Sequence, residues 1–247
     1  MAAIPSRPVR GRDAHLAVLE RALEQTRAGT GAVVIIEGAP GLGKTRMLQA
    51  AWATAGNLAF RMGRGMADPI GGVVELAPLM EALFEHEPPL LDRSLLSDVH
   101  SAPEQRFWLL HEIEGLLEEA ALKGPLLIVL DDLHWADSGT AAALRLLPQR
   151  LAGLSIAWVL ATRPAQGSAH IRAALSELAD NGADVLRLDP LDAAAVAQVM
   201  ADVRRLSRTE ICCSALRQPT GTRSSWSTSS AALRRKVSSL SSRVAPG

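Results

Sequence analysis

The sequence predicts an α/β fold, with a central, mostly parallel sheet of about five strands flanked by helices. Three observations lead there. Short apolar runs alternate with amphipathic stretches through the first 203 of the 247 residues, and that alternation places crossover helices between parallel strands. A glycine-rich loop at 38–43 lies between an apolar run and a helical pattern. The most apolar run, at 126–130, ends on two adjacent acids, Asp131 and Asp132.

The elements follow in order. Residues 13–28 read as a helix, with Leu16, Leu19 and Leu23 at core-facing spacing and Gly29 as the stop. Residues 32–37 (AVVIIE), bounded by glycines, read as a buried strand, and 44–55 as the helix after it. Residues 57–62 form a weaker second strand, and the Gly- and Pro-rich stretch 63–100 gives no clear element. Ser101-Ala-Pro-Glu104 matches a capping box. It opens a helix carrying Phe107, Leu110, Leu117 and Ala121 on one side, ended by Gly124-Pro125. Residues 126–130 (LLIVL) form the next strand, and 138–151 a helix that Pro148 should bend or end early. Strands at 155–161 and 184–188 enclose a helix at 168–180 stopped by Asn181-Gly182, and Asp192 caps a last helix running to about Val203.

Composition sets bounds on this fold. The chain is 48% apolar and 21% charged, long enough for one to two domains with a real core. Aromatics make up 3% with no tyrosine, so the core must come from Leu, Val, Ile and Ala. No apolar run approaches the roughly 18 residues that span a bilayer, and the first residues lack the apolar stretch of a secretory signal, so a cytoplasmic location without membrane contact is expected. Cys212 and Cys213 are adjacent, which suits neither a disulfide framework nor a metal site.

The phosphate-binding chemistry is concentrated in two motifs. Gly38-Ala39-Pro40-Gly41-Leu42-Gly43-Lys44-Thr45 fits G-x-x-x-x-G-K-[ST]. A phosphate chain needs several backbone N–H groups pointing inward, and glycines let the loop curl tightly enough to supply them. The helix N-terminus that follows, with Arg46 in its first turn, adds its dipole. Lys44 supplies a full charge for the β- and γ-phosphates, and the Thr45 hydroxyl suits Mg²⁺, which prefers oxygen ligands. A buried strand ending in acids places carboxylates at the carboxyl edge of the sheet, where open α/β folds bind ligands. Asp131 is the expected Mg²⁺ contact and Asp132 the group polarising the attacking water.

Leu130-Asp-Asp-Leu-His-Trp-Ala-Asp137 closely resembles the LDDLHWAD signature of STAND-type, AAA-related P-loop NTPases. These form the N-terminal part of large ATP-binding LuxR-type transcriptional regulators and related signalling proteins. Val9–Leu16 resembles that family's GRExEL opening motif, with Asp13 and His15 in place of its two glutamates. The resemblance implies that Gly11 and Arg12 lie near the adenine. Ala161-Thr162-Arg163-Pro164 resembles a sensor segment, which implies that Arg163 reads the γ-phosphate, and residues 188–191 resemble the start of a helical lid. His134 and Trp135 are read either as packing at a strand–helix corner or as a link to a neighbouring domain. Asp137 is read as a helix cap, and Arg61 and Arg64 as solvated charge or phosphate-facing groups.

The last 44 residues differ from the rest. Residues 204–247 hold nine Lys+Arg against one acid, Glu210, a net +8, whereas 1–203 hold seventeen against twenty-five, a net −8. Eleven serines fall in that tail and eight in everything before it. The family resemblance ends near Val203. A one-base shift of a permitted coding sequence restores a lid-like apolar pattern, so a frameshift is one reading of 204–247. A natural disordered basic tail and a nucleic-acid-binding arm are the others. The expected division is therefore a P-loop ATPase domain at 1–190, an incomplete helical lid at 191–203 and a disordered Ser/Arg-rich tail. The expected function is ATP binding with slow Mg²⁺-dependent hydrolysis in a signalling or transcription-regulating switch. A non-catalytic ADP-holding module and a basic-tailed DNA binder are the alternatives. Any DNA-binding helix-turn-helix would lie in a C-terminal domain absent from this chain, and self-association is an open partner.

Overall fold

A computed structural model describes residues 9–69, 75–95 and 103–202. The chain divides after Val199. Of the second unit only residues 200–202 are described, and they are helical. The capping box at 101–104 starts outside the described residues, as do Val203 and the basic tail. Among the described residues no helix is long and apolar enough to cross a membrane.

The first unit opens with α1 (Asp13–Arg27), β1 (Ala32–Gly38), α2 (Lys44–Asn57), β2 (Arg61–Met66) and α3 (Ala77–Phe84). It continues with α4 (Pro103–Leu122), β3 (Leu126–Asp131), α5 (Ser138–Arg150), β4 (Ile156–Thr162), α6 (Ala169–Asp180) and β5 (Asp184–Leu188). The five strands form one sheet in the order β2-β3-β4-β1-β5, with every pair parallel. This is the parallel α/β architecture that the alternating pattern predicts. Residues 193–202 are helical, and the Asp192 carboxylate accepts from the Ala195 N–H at 2.7 Å, so Asp192 caps this helix as expected.

Strand periodicity sorts the core into two layers. Ile35, Ile128, Leu130, Trp158 and Leu160 pack with buried residues of α3, α4, α5 and α6. Val34, Ile36, Leu127, Val129, Val159 and Ala161 face the other way, onto Leu19 and Leu23 of α1 and Met47 and Leu48 of α2. Every residue of β3 and β4 is buried. That is why these two segments read as continuous apolar runs rather than as alternation. Leu110 and Leu117 of α4 are buried as the helical stripe requires.

The second strand differs from its expected position. Helix α2 runs on to Asn57, and the chain turns through Ala59 at φ 60 before β2 starts at Arg61. Apolar content pointed at 57–62, but the pairing segment is RMGRGM, whose glycines lower its strand propensity. Those glycines have a packing reason. A Cβ on Gly63 would lie 1.9 Å from the Ala82 carbonyl oxygen, and one on Gly65 would lie 1.8 Å from that of Pro78. Helix α3 therefore lies backbone-to-backbone on the strand, with Leu79 and Leu83 filling the space beside it. Pro148 does not end α5 early. It sits in the last turn, and the helix continues to Arg150.

Candidate nucleotide-phosphate site

The phosphate loop bridges β1 and α2. Gly41 and Gly43 take φ values of 80 and 96. A Cβ at either would meet nothing within 4 Å, so backbone conformation, not crowding, requires glycine at both. Lys44 opens α2 and is 7% exposed. Its Nζ donates to the Gly38 carbonyl at 2.9 Å and the Ala39 carbonyl at 3.3 Å. Burial pushes the Lys44 pKa below the ordinary lysine value. Asp132 and Asp131 oppose that shift and Arg163 adds to it.

Asp131, 3% exposed at the end of β3, is the centre of the site. One carboxylate oxygen, Oδ1, accepts from the Asp132 N–H at 2.9 Å. The other, Oδ2, accepts from the Thr45 hydroxyl at 3.4 Å and from Arg64 Nη2 at 3.3 Å. β1 and β3 are not neighbours, since β4 lies between them. The contact exists because α2 carries Thr45 across to Asp131. A hydroxyl and a carboxylate oxygen converging beside a lysine are the hard oxygen donors that Mg²⁺ selects. The left-handed glycine loop, Lys44 and the N-terminus of α2 suit polyanionic phosphate.

Arg64 is the site residue that the sequence reading missed as a fixed element. The sequence reads it as solvated charge or as a phosphate-facing group, yet it lies within β2 and pairs with Asp131. The available signal was an arginine on a strand that could pair beside the acid-ending strand. Arg61 instead donates to the Leu90 carbonyl.

Asp132 takes a left-handed φ of 51, so the chain turns sharply after β3. His134 follows in a short 3₁₀ turn, 4% exposed, with Nδ1 3.7 Å from Asp132 Oδ1. Among the described residues, neither ring nitrogen of His134 has a hydrogen-bond partner. Burial, then the charge of Arg163, lowers the pKa of this imidazole, and Asp132 opposes the shift. Trp135 tilts against the ring, centroids 5.0 Å apart, and remains 45% exposed. His134 thus packs the strand–helix corner, while Trp135 presents half its surface. Asp137 caps α5, accepting from the Thr140 N–H at 2.9 Å and the Thr140 hydroxyl at 2.6 Å. It also accepts from the Leu76 N–H at 3.2 Å, tying the start of α3 to this corner.

Arg163 follows β4 and acts electrostatically on both Lys44 and His134. Its Nε is buried without a partner among the described residues. Arg12 is 7% exposed and donates to the Asp189 carbonyl and, at 3.4 Å, to the Leu42 carbonyl. It therefore braces the tip of the phosphate loop against the end of β5. Gly11, at φ 65, packs so closely on Ala195 that a Cβ would approach that residue's Cβ to 2.6 Å. Arg46 bonds Gln49 at 2.9 Å along α2. The phosphate loop, Thr45, Asp131 and Asp132 come together. Arg12 joins them through the loop tip, whereas Gly11 packs on Ala195 and Leu191.

The comparisons agree with this geometry. A family model described as "AAA ATPase domain" matches residues 8–159. The fold is similar to the Aeropyrum pernix ORC2 protein, solved in ADPNP–ADP complexes, at 14% identity and TM-score 0.56, covering 82% of this chain and 54% of that one. It is also similar to Drosophila ORC bound to DNA, at 14% identity and TM-score 0.53, covering 81% and 48%. The chain thus spans about half the length of these structures, and the likeness is one of fold. No curated protein matches the sequence. Over half its length, with a phosphate loop facing an acid-ended strand in a five-stranded parallel sheet, the chain belongs to the AAA ATPase domain family.

Proposed function

We propose that this chain binds ATP with Mg²⁺ and hydrolyses it slowly, as the nucleotide switch of a larger signalling or transcription-regulating ATPase of the STAND, LuxR-associated type. The observation that carries the reading is the meeting of Thr45 Oγ1 with Asp131 Oδ2 at 3.4 Å beside the buried Lys44. The residues at 38–46 cradle the phosphates, with Lys44 neutralising them. Thr45 and Asp131 would hold Mg²⁺, which supplies charge neutralisation at the phosphates. Asp132 orients the attacking water, and Arg163 answers the terminal phosphate. Gly11 and Arg12 hold the loop tip near the base. Cytoplasmic location, self-association and the division at 190 and 203 belong to the same proposal. So does DNA contact, only through a separate C-terminal domain of the larger ATPase.

Lys44→Ala is expected to abolish ATP binding, measured by titration of the whole chain. Asp131→Ala is expected to weaken binding more with Mg²⁺ than without it. Unchanged affinity in the first, or equal losses in the second, would reject the assignment. One observation favours a second reading, a module that holds ADP without turnover. Arg64 already pairs with Asp131 Oδ2 at 3.3 Å, so this carboxylate has a cation partner without a metal. Phosphate release over hours from purified protein separates the two readings.

A further inference from the structure

A second polar recess lies under α6, on the sheet face away from α1 and α2. Parallel pairing sets Thr162, Glu37 and Arg187 in one row across the carboxyl ends of β4, β1 and β5. One pleat earlier, Leu160, Ile35 and Val185 line the same face. Between this row and α6 is a cavity of about 240 Å³, walled by Glu37, Thr162, Arg163, Arg172 and Arg187 over a floor of Ile35 and Leu175. Lys44 and Thr45 do not line it.

Two wall residues have buried polar atoms without partners among the described residues. Thr162 is 3% exposed, and its hydroxyl has no hydrogen bond. The Arg163 Nε is in the same state. Buried donors without acceptors are costly, and native folds satisfy nearly all of them with protein, water or ligand. The charges point to an acceptor-rich guest, since three guanidinium groups line the recess against one carboxylate. That carboxylate, Glu37, is already engaged by Arg187 at 3.4 Å. Arg172 donates one N–H to the Gly167 carbonyl, and a guanidinium has five.

We propose that this recess binds a small organic anion through its carboxylate groups. Arg172 presents a planar donor fork that matches carboxylate oxygens, and the Arg163 Nε adds a further buried donor. Thr162 donates from the wall, and Ile35 and Leu175 accept the short apolar body. At about 240 Å³ the cavity falls below the roughly 300 Å³ of ordinary drug-sized pockets, so the guest has few heavy atoms. The recess shares Arg163 with the proposed nucleotide site, while Arg172 and Arg187 line the recess without belonging to the phosphate loop.

The test is a calorimetric titration of the whole chain with succinate at constant ionic strength. Saturable one-site binding is expected. Arg172→Gln should weaken it about tenfold, the loss of one charge-assisted hydrogen bond. Thr162→Val, which keeps the buried volume, should weaken it several-fold without lowering the melting temperature, and Lys44→Ala should leave it unchanged. Absence of saturable binding would overturn the proposal, leaving water as the occupant. Binding that disappears in Lys44→Ala but survives in Arg172→Gln would also overturn it, because the anion would then belong to the phosphate loop.

Discussion

Asp131 carries more interactions than any sequence motif assigns to it. Its Oδ2 serves both Thr45 and Arg64. Removing the arginine leaves a nearly buried carboxylate short of a cation, so Arg64→Gln should destabilise the protein by about 1–2 kcal/mol, since the pair is one-third exposed on the arginine side. Millimolar Mg²⁺ should restore more stability to this variant than to the parent, because the metal replaces the lost charge; equal Mg²⁺ effects in paired urea titrations would refute this. His134 gives a second residue-scale prediction. Burial lowers its pKa in the folded state, so the unfolded chain binds the extra proton. Its contribution is therefore present above the unfolded histidine value of about 6.5 and is lost as pH falls towards the lower folded value. His134→Phe should flatten the acid limb of stability just below pH 6.5, as read by urea midpoints. Lys44, Thr45, Asp131 and Asp132 were legible in the sequence because phosphate chemistry fixes their spacing. Arg64 was not, because its role depends on which strand pairs with β3, and RMGRGM hardly reads as a strand.

At the scale of elements, β2 and α3 form a unit defined by what is missing. Gly63 and Gly65 leave no room for a methyl group, since its nearest neighbours are carbonyl oxygens of α3 under 2 Å away. Gly65→Ala must therefore move the whole helix. A loss of about 3 kcal/mol or more is expected, at the upper end for overpacking against an unyielding neighbour. A melting temperature within a degree of the parent would contradict the close packing. β1, β3, β4, β5 and their helices could be placed from apolar periodicity and glycine stops. α3 could not, because its signal is short and interrupted by Pro78, and its position is set by a glycine face on another element. α2 outran its expected end for a related reason. Helical bonding continues to Leu58, whose N–H donates to the Thr54 and Ala55 carbonyls, so Gly56 lies inside the helix and does not stop it.

For the first unit as a whole, the sheet is shared by two apolar layers, one under α1 and α2 and the other under α3 to α6. β3 and β4 contribute alternate residues to both, so neither layer can melt alone. Leu48→Ala and Leu83→Ala, on opposite faces and each 1% exposed or less, should each cost about 2–5 kcal/mol. Each should lower one common thermal transition of the sheet, seen equally by circular dichroism and by tryptophan fluorescence. Two separated transitions in either variant would show that the layers are independent. Arg12 joins the carbonyl of Leu42 to that of Asp189, 177 residues further along the chain than itself. β1, which leads into the loop, pairs only with β4 and β5, both made later. On a ribosome, where chains emerge from the amino end at about 5–20 residues per second, the phosphate loop leaves the tunnel with neither its flanking strands nor its brace available. A nascent chain therefore becomes competent to hold its ligand only once Asp189 has emerged, and shorter nascent chains arrested before that residue should not be retained on immobilised nucleotide.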